Sequence, residues 1–157
     1  MNIHPITPCL WFDNRAEEAA NFYVSIFKNS KIGSISRFGK EGFEHHGQKE
    51  GIVMTVSFEI NGQPFTALNG GPIFQFNESI SFQVFCDSQE EIDHYWNNLT
   101  KGGQESMCGW LKDRFGVSWQ IVPSSIAELM SDPAKAERVT KAFMNMRKLD
   151  IETLRKA

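Results

Sequence analysis

The sequence is poor in the residues that announce a particular chemistry. It has three cysteines, Cys9, Cys86 and Cys108, with no CxxC pair. With an odd number and no CxxC pair, free, buried thiols in a reducing cytosol are the simplest reading. There is no basic run: 16 Lys and Arg face 19 Asp and Glu, for a net charge of −3. Neither nucleic acid nor an anionic membrane is therefore expected as a partner. No apolar run approaches the roughly 20 residues that span a bilayer. The opening Met1-Asn2-Ile3-His4-Pro5 lacks the charged and apolar segments of a signal peptide, so a cytoplasmic location is expected. No Ser-His-Asp or Cys-His arrangement can be assembled.

What is present suits one folded domain. The 157 residues are 41% hydrophobic and 22% charged, ordinary for a globular chain with its own core. Thirteen Phe and four Trp suit sheets packed on helices, and equally an apolar pocket. Residues 6–12 read as a continuous apolar strand, with Asp13 and Asn14 as helix-cap candidates and Glu17 and Glu18 in the first turn. Ala16, Ala19, Ala20, Tyr23 and Phe27 recur at helical spacing over 15–27. Strands follow at 31–38 and 52–60, separated by an exposed polar loop over 39–50. Asn61-Gly62 then signals a hairpin into a strand at 64–68, which stops at Asn69-Gly70-Gly71-Pro72.

The pattern then restarts. Ile80, Phe82, Val84 and Cys86 alternate with Ser79, Ser81, Gln83 and Phe85 in a fifth strand. Asp87-Ser88 caps a helix with Glu90 and Glu91 in its first turn, running to about residue 100 before Gly102-Gly103. Residues 106–112 and 117–122 form a hairpin around Asp113-Arg114-Phe115-Gly116. At an offset of 90 − 17 = 73, Glu17-Glu18 falls on Glu90-Glu91, Phe22-Tyr23 on Tyr95-Trp96 and Phe12 on Phe85. Agreement of strand, cap, acidic pair and aromatic pair in one register argues for internal duplication. The first module spans about 5–72 and the second about 78–123, the second with one clipped strand; together they make a paired unit over 1–123. Residues 124–157 form a helical tail. Its stripe of Ala136, Val139, Phe143 and Met146 needs burial either on the parent domain or on a partner subunit.

Four segments carry a family resemblance: Ile6-Thr7-Pro8-Cys9-Leu10-Trp11-Phe12-Asp13, Ala16-Glu17-Glu18-Ala19-Ala20-Asn21-Phe22-Tyr23, Leu68-Asn69-Gly70-Gly71-Pro72, and the run from Cys108-Gly109-Trp110 through Asp113-Arg114-Phe115-Gly116 to Gln120-Ile121-Val122-Pro123. They resemble the vicinal oxygen chelate superfamily, the glyoxalase, bleomycin-resistance and extradiol-dioxygenase group. Within it they are similar to the PhnB-like branch, labelled a 3-demethylubiquinone-9 3-methyltransferase domain. The resemblance implies an α+β fold of two βαβββ modules, with curved mixed sheets around a shared cleft and a C-terminal helical tail. No strand, Gly-rich turn and helix unit for a methyl-donor cofactor is present to support the methyltransferase part of that label.

Metal-dependent members of that superfamily place His near the starts of the first and fifth strands and Glu toward the ends of the fourth and eighth. The resemblance puts these positions at Ile6, Ser79, Asn69 and Gln120. Ile6 cannot ligate, and Ser, Asn and Gln are weak neutral donors, so no metal or other cofactor is expected. His45-His46 lies in the polar loop, where solvation is favoured over chelation; His94 lies on a partly exposed helix face and His4 ahead of the first strand.

The fifth strand supplies the expected geometry. Its apolar face turns toward the helices, which leaves Ser79, Ser81 and Gln83 on the concave side. By the repeat, Ile6, Pro8 and Leu10 face that side too, while Cys9 and Cys86 face the helices and should be inert. The resemblance turns Ser118 and Gln120 inward. Glu59 is either an inward carboxylate or an exposed strand end, the latter favoured. Trp110 is a candidate to stack on a flat ligand, and Trp119 a core aromatic. Asn69-Gly70-Gly71 either brings backbone N–H groups to a ligand or makes a tight turn. The candidate ligand-binding set is Ile6, Leu10, Glu59, Asn69, Ser79, Ser81, Gln83, Trp110 and Gln120. Apolar walls with a few neutral polar groups suit a metal-free protein that binds a small apolar or aromatic molecule. An enzyme of the glyoxalase or dioxygenase type with a non-standard metal site, and a chain whose tail serves assembly, are the other readings. A homodimer, which the resemblance implies, is compatible with all three.

Overall fold

The computed structural model describes residues 5–157, so His4 lies outside the described residues. The chain forms two compact units, Met1–Gln75 and Phe76–Ala157. The first contains β1 (Cys9–Phe12), α1 (Ala16–Ile26), β2 (Lys31–Arg37), the one-turn α2 (Phe43–His46), β3 (Val53–Ile60) and β4 (Gln63–Asn69). The second contains β5 (Ser81–Cys86), α3 (Gln89–Leu99), the two-residue β6 (Gln104–Glu105), β7 (Trp110–Lys112) and β8 (Ser118–Pro123), then α4 (Ile126–Leu129), α5 (Pro133–Phe143) and α6 (Ile151–Lys156). Each unit holds one four-stranded mixed sheet, ordered β1-β4-β3-β2 and β5-β8-β7-β6. In each, the last strand returns parallel to the first. This is the α+β arrangement of two βαβββ modules, and β6 is the clipped strand. Residues 43–46, read from sequence as loop, close one helical turn between Gly42 and Gly47, both in the left-handed region.

The helices pack for the reason their periodicity indicates. In α1, Ala16, Ala19, Ala20, Tyr23 and Ile26 are buried. The Tyr23 ring stacks on Phe58 at 6.0 Å, and Phe58 on Phe65 at 5.4 Å, so small residues let the helix approach while aromatics fill the core. The two helices start differently. Ser88 caps α3 locally, accepting from the Glu91 N–H at 3.2 Å, while the Glu91 carboxylate accepts from the Asp87 N–H at 2.8 Å, a reciprocal capping arrangement. The expected local cap of α1 does not form. Asn14 takes a left-handed φ of 57°, and Arg15 at the cap position makes no side-chain cap bond. Instead Asn69, at the end of β4, accepts the Ala16 N–H at 2.8 Å and donates to the Val53 carbonyl at 2.9 Å.

That difference rewrites the repeat. The helices obey the sequence offset, since 89 − 16 and 99 − 26 both give 73. The strands do not. In β5, Phe82, Val84 and Cys86 lie on the helix side with Trp119, Ile121 and Pro123 of β8. In β1, the helix side carries Leu10 and Phe12, both buried, and Leu10 sits beside Ala67 and Val56. Matching Leu10 to Val84 requires 84 − 10 = 74. The extra residue is in the linkers, three residues (Asp13, Asn14, Arg15) before α1 against two (Asp87, Ser88) before α3. A one-residue slip turns every side chain of a strand to the other face. Leu10 therefore faces α1, not the concave side, and Cys9 is exposed on the side away from the helix.

The tail belongs to the second unit. The Cys108 and Gly109 N–H groups donate to the Met146 and Arg147 carbonyls, both at 2.7 Å. The Gln89 side chain donates to the Leu149 carbonyl and accepts from the Ile151 N–H. Gly109, at φ 80°, lies so close to the Ile121 carbonyl that a Cβ would collide with it, and would also crowd the Leu149 side chain. Leu129, Val139, Leu149 and Leu154 form the buried cluster of the tail, with Phe143 and Met146 packed against it. Asp132 and Asp150 cap α5 and α6.

Two measurements check this account. Asn69→Ala leaves a buried N–H and a buried carbonyl unpaired, so urea denaturation should show a loss of about 2–4 kcal/mol. Native alkylation with mass mapping should label Cys9 well before Cys86, whose thiol is pushed up to about 12 by burial and by the nearby Glu91 and Asp87 carboxylates.

Candidate functional site

The side of the second sheet away from α3 gathers several of the polar candidates. Parallel pairing sets Ser81 beside Ser118 and Gln83 beside Gln120; antiparallel pairing sets Trp110 beside Gln120 and Lys112 beside Ser118. The Gln120 amide donates to the Ser81 hydroxyl at 2.8 Å, and the Gln83 amide donates to the Gln120 carbonyl oxygen at 3.3 Å. Phe85, 57% exposed, continues this face beyond Gln83. The result is a short ladder of neutral hydroxyl and amide groups flanked by two aromatic rings. Such a surface orients a ligand without charging it.

At the β6 edge of the same face lies a cavity of about 420 Å³, lined by Glu78, Gln104, Glu105, Ser106, Trp110, Leu111, Lys112 and Ser118. Trp110 forms a half-buried wall. Lys112 is ion-paired with Glu78, and that hydrogen bond holds the Glu78 carboxyl below the usual carboxylate range. The Ser118 side chain is 1% exposed, and its hydroxyl has no hydrogen-bond partner among the described residues. Glu105 is occupied elsewhere: the Trp96 indole donates to it at 3.0 Å, and Arg147 lies 3.7 Å away. Sequence reasoning left Lys112 and Glu78 unremarked. The signal was the alternation of Trp110 and Lys112, which places both on the Gln120 face once the hairpin register is known.

That register is set by Asp113. One carboxylate oxygen accepts the Phe115 and Val117 N–H groups at 2.8 and 3.1 Å; the other accepts the Trp119 indole N–H at 2.9 Å. Asp113 and Trp119 are both buried, so these are charge-assisted bonds in a shielded place. Trp119 is thus a core residue with a fixed polar end, as its alternation implies.

The remaining candidates are placed differently. Ile6 and Ser79 precede β1 and β5 rather than starting them. Ile6 is 93% exposed, and Ser79 bonds back to Asn77 in a local turn. Leu10 is in the core, as described above. Asn69 is buried, with both amide atoms committed to the α1 start and β3, so it cannot reach a ligand. Gly70 is required by Trp11, whose ring lies where a Cβ would stand, and the Trp11 indole donates to the Gly71 carbonyl at 2.8 Å. The Asn69-Gly70-Gly71 segment is therefore structural. Glu59 lies on the first sheet's face away from α1, 3.3 Å from Lys31. It lines a separate cavity of about 250 Å³ with Thr7, Ser57 and Thr66 among its neighbours. By strand register Glu59 corresponds to Lys112, so the two modules carry a related cavity with opposite charges at that position; Lys31 pairs with Glu59 from β2, whereas Glu78 pairs with Lys112 from ahead of β5.

The residues at the superfamily's metal positions do not fit a divalent transition metal. Ile6 has no donor, Asn69 is fully bonded inside the fold, and Ser79 and Gln120 are neutral groups already hydrogen-bonded. Among the described residues no three His, Cys, Asp or Glu side chains group to hold a metal ion. His46 accepts from the Gln48 N–H through Nδ1 and faces the Glu41 carbonyl through Nε2, while His45 is exposed beside Glu44. His94 is exposed on α3, edge-on to Tyr95. No helix among the described residues is long and apolar enough to cross a membrane.

Comparison with known proteins agrees with the geometry. The family model of 3-demethylubiquinone-9 3-methyltransferase matches residues 4–122. A structure described as a putative 3-demethylubiquinone-9 3-methyltransferase, PhnB protein, from Bacillus cereus is 38% identical, covers 77% of this chain and 100% of its own, and has a TM-score of 0.68. A protein from Pseudomonas aeruginosa is 20% identical over 77% of this chain and 98% of its own, with a TM-score of 0.61. The fosfomycin resistance protein FosX from Mesorhizobium loti is 10% identical over 84% of this chain and 100% of its own, with a TM-score of 0.56. The last two share the fold alone. No curated protein matches the sequence. The chain belongs to the PhnB-like 3-demethylubiquinone-9 3-methyltransferase domain family, within the vicinal oxygen chelate superfamily.

Proposed function

We propose that the protein binds a small apolar or aromatic molecule without a metal, in the manner of the glyoxalase/bleomycin-resistance type. The observation that carries this reading is the open face of the second sheet, where Ser81, Gln83 and Gln120 form a neutral polar ladder beside Trp110 and Phe85. Apolar walls with a few converging polar groups are the usual composition of a ligand site. The neutral, committed side chains at the superfamily's metal positions support binding over metal-assisted chemistry. Methyl transfer is disfavoured, because neither strand-to-helix linker, Asp13-Asn14-Arg15 or Asp87-Ser88, contains the glycines that bring a backbone close to a nucleotide-like cofactor. A cytoplasmic homodimer is the expected working form, to be checked by light scattering at micromolar concentration.

Thermal-shift and fluorescence titration with neutral aromatic probes, 2-naphthol and benzamide among them, should give saturable binding that quenches Trp110. Gln120→Leu removes a donor and an acceptor from the ladder and should weaken that binding about tenfold, with little change in melting temperature. An unaltered affinity would remove the ladder from the site. Elemental analysis of protein purified without an affinity tag should find no stoichiometric Zn, Fe, Ni or Mn. A full equivalent of any of these, lost on mutation of Gln120, would reverse the metal-free reading.

A further inference from the structure

Resting on that small-molecule reading, we propose that the cavity between β6 and β8 takes the carboxylate of a small aromatic acid. In this arrangement Lys112 and Ser118 anchor the oxyanion, and Glu78 is an internal occupant that the ligand displaces. The first support is the Ser118 hydroxyl. A buried hydroxyl without a partner costs free energy in the folded protein, and this one lines a cavity rather than a sealed core. It can donate to an oxygen that enters.

The second support is its neighbour. Lys112 stands beside Ser118 across the hairpin, and among the described residues its ion pair is with Glu78, whose side chain is 60% exposed against 34% for Lys112. An ion pair with one largely solvated partner is weak and readily exchanged. Glu78 lies ahead of β5, outside the sheet, so its carboxylate can leave without disturbing the strand ladder. The Lys112 backbone is fixed, since β7 is paired on both sides.

Electrostatics favour an anion over a cation. Glu105, the other carboxylate lining the cavity, is on the Leu111 side of the strand pair and is taken by the Trp96 indole and Arg147. Once Glu78 is displaced, Lys112 is the cation left without a partner in the cavity lining, while Glu105 stays hydrogen-bonded to the Trp96 indole. The Trp110 ring supplies a flat apolar wall, and its indole makes no hydrogen bond among the described residues. A volume of about 420 Å³ accommodates an aromatic acid with room for substituents.

Isothermal titration of the full chain with benzoate, benzamide and benzylamine separates the outcomes. Benzoate should bind more tightly than its neutral isostere benzamide in the wild type. Glu78→Gln should tighten benzoate about two- to fivefold, the range that one exposed ion pair commands, and leave benzamide unchanged. Lys112→Met should abolish the preference for benzoate. Ser118→Ala should weaken benzoate while the melting temperature holds or rises, because the hydroxyl has no bond to lose; an ordinary structural serine would lower it. Benzoate affinity unchanged or weakened by Glu78→Gln overturns the proposal, as does a wild-type preference for benzylamine. If the three probes bind equally and depend on Gln120, the carboxylate site falls and the small-molecule reading stands. If none binds, both fall.

Discussion

The carboxylate of Asp113 is the constraint on which the second module's working face depends. It collects two backbone N–H groups of its own turn and the indole N–H of Trp119. With both oxygens used, the β7–β8 hairpin has one register: Lys112 opposite Ser118 and Trp110 opposite Gln120. Shifting that register by one residue would send Lys112 and Trp110 to the helix side and put Leu111 on the open face in their place. The same bond anchors Trp119 in the core, so the packing of the helix side and the chemistry of the open side answer to one side chain.

The two modules solve the same problem with different means. Each must start a helix a few residues after a strand and satisfy the exposed N–H groups at its beginning. The second does so within the linker, through Ser88 and Glu91. The first has one more residue there, places Asn14 in a left-handed turn, and borrows Asn69 from the end of β4. That borrowing also ties β4 to β3 through the Val53 carbonyl. Duplication preserved the topology and the eleven-residue helices, while the face presented by β1 changed. This is why Cys9 and Trp11, rather than Leu10, occupy the positions in the first sheet that Gln83 and Phe85 occupy in the second.

Much of this was legible in the residues. Strict alternation in β5 identified its two faces, because a half-buried strand exposes every second side chain to a different medium. The Asp132 and Asp150 caps were legible for the local reason that a short side chain can reach its own helix start. Asn69 was not legible: from sequence it reads as a turn residue, and its partners Ala16 and Val53 are brought to it only by the sheet. Ile6 was misplaced because apolar character alone does not distinguish a strand from the exposed segment before it.

The sequence by itself determined the α+β class, the duplicated modules and the absence of His or carboxylate at the superfamily's metal positions. These follow from periodicity, internal similarity and donor chemistry, all of which are properties of the chain read locally or by resemblance. Only the tertiary structure decided which face Leu10 and Cys9 present, that Asn69 is a helix cap, that the tail packs on the second unit, and that Ser118, Lys112 and Glu78 share one cavity. Each of these turns on strand register or on contacts between distant segments, where one residue of linker length outweighs any local preference.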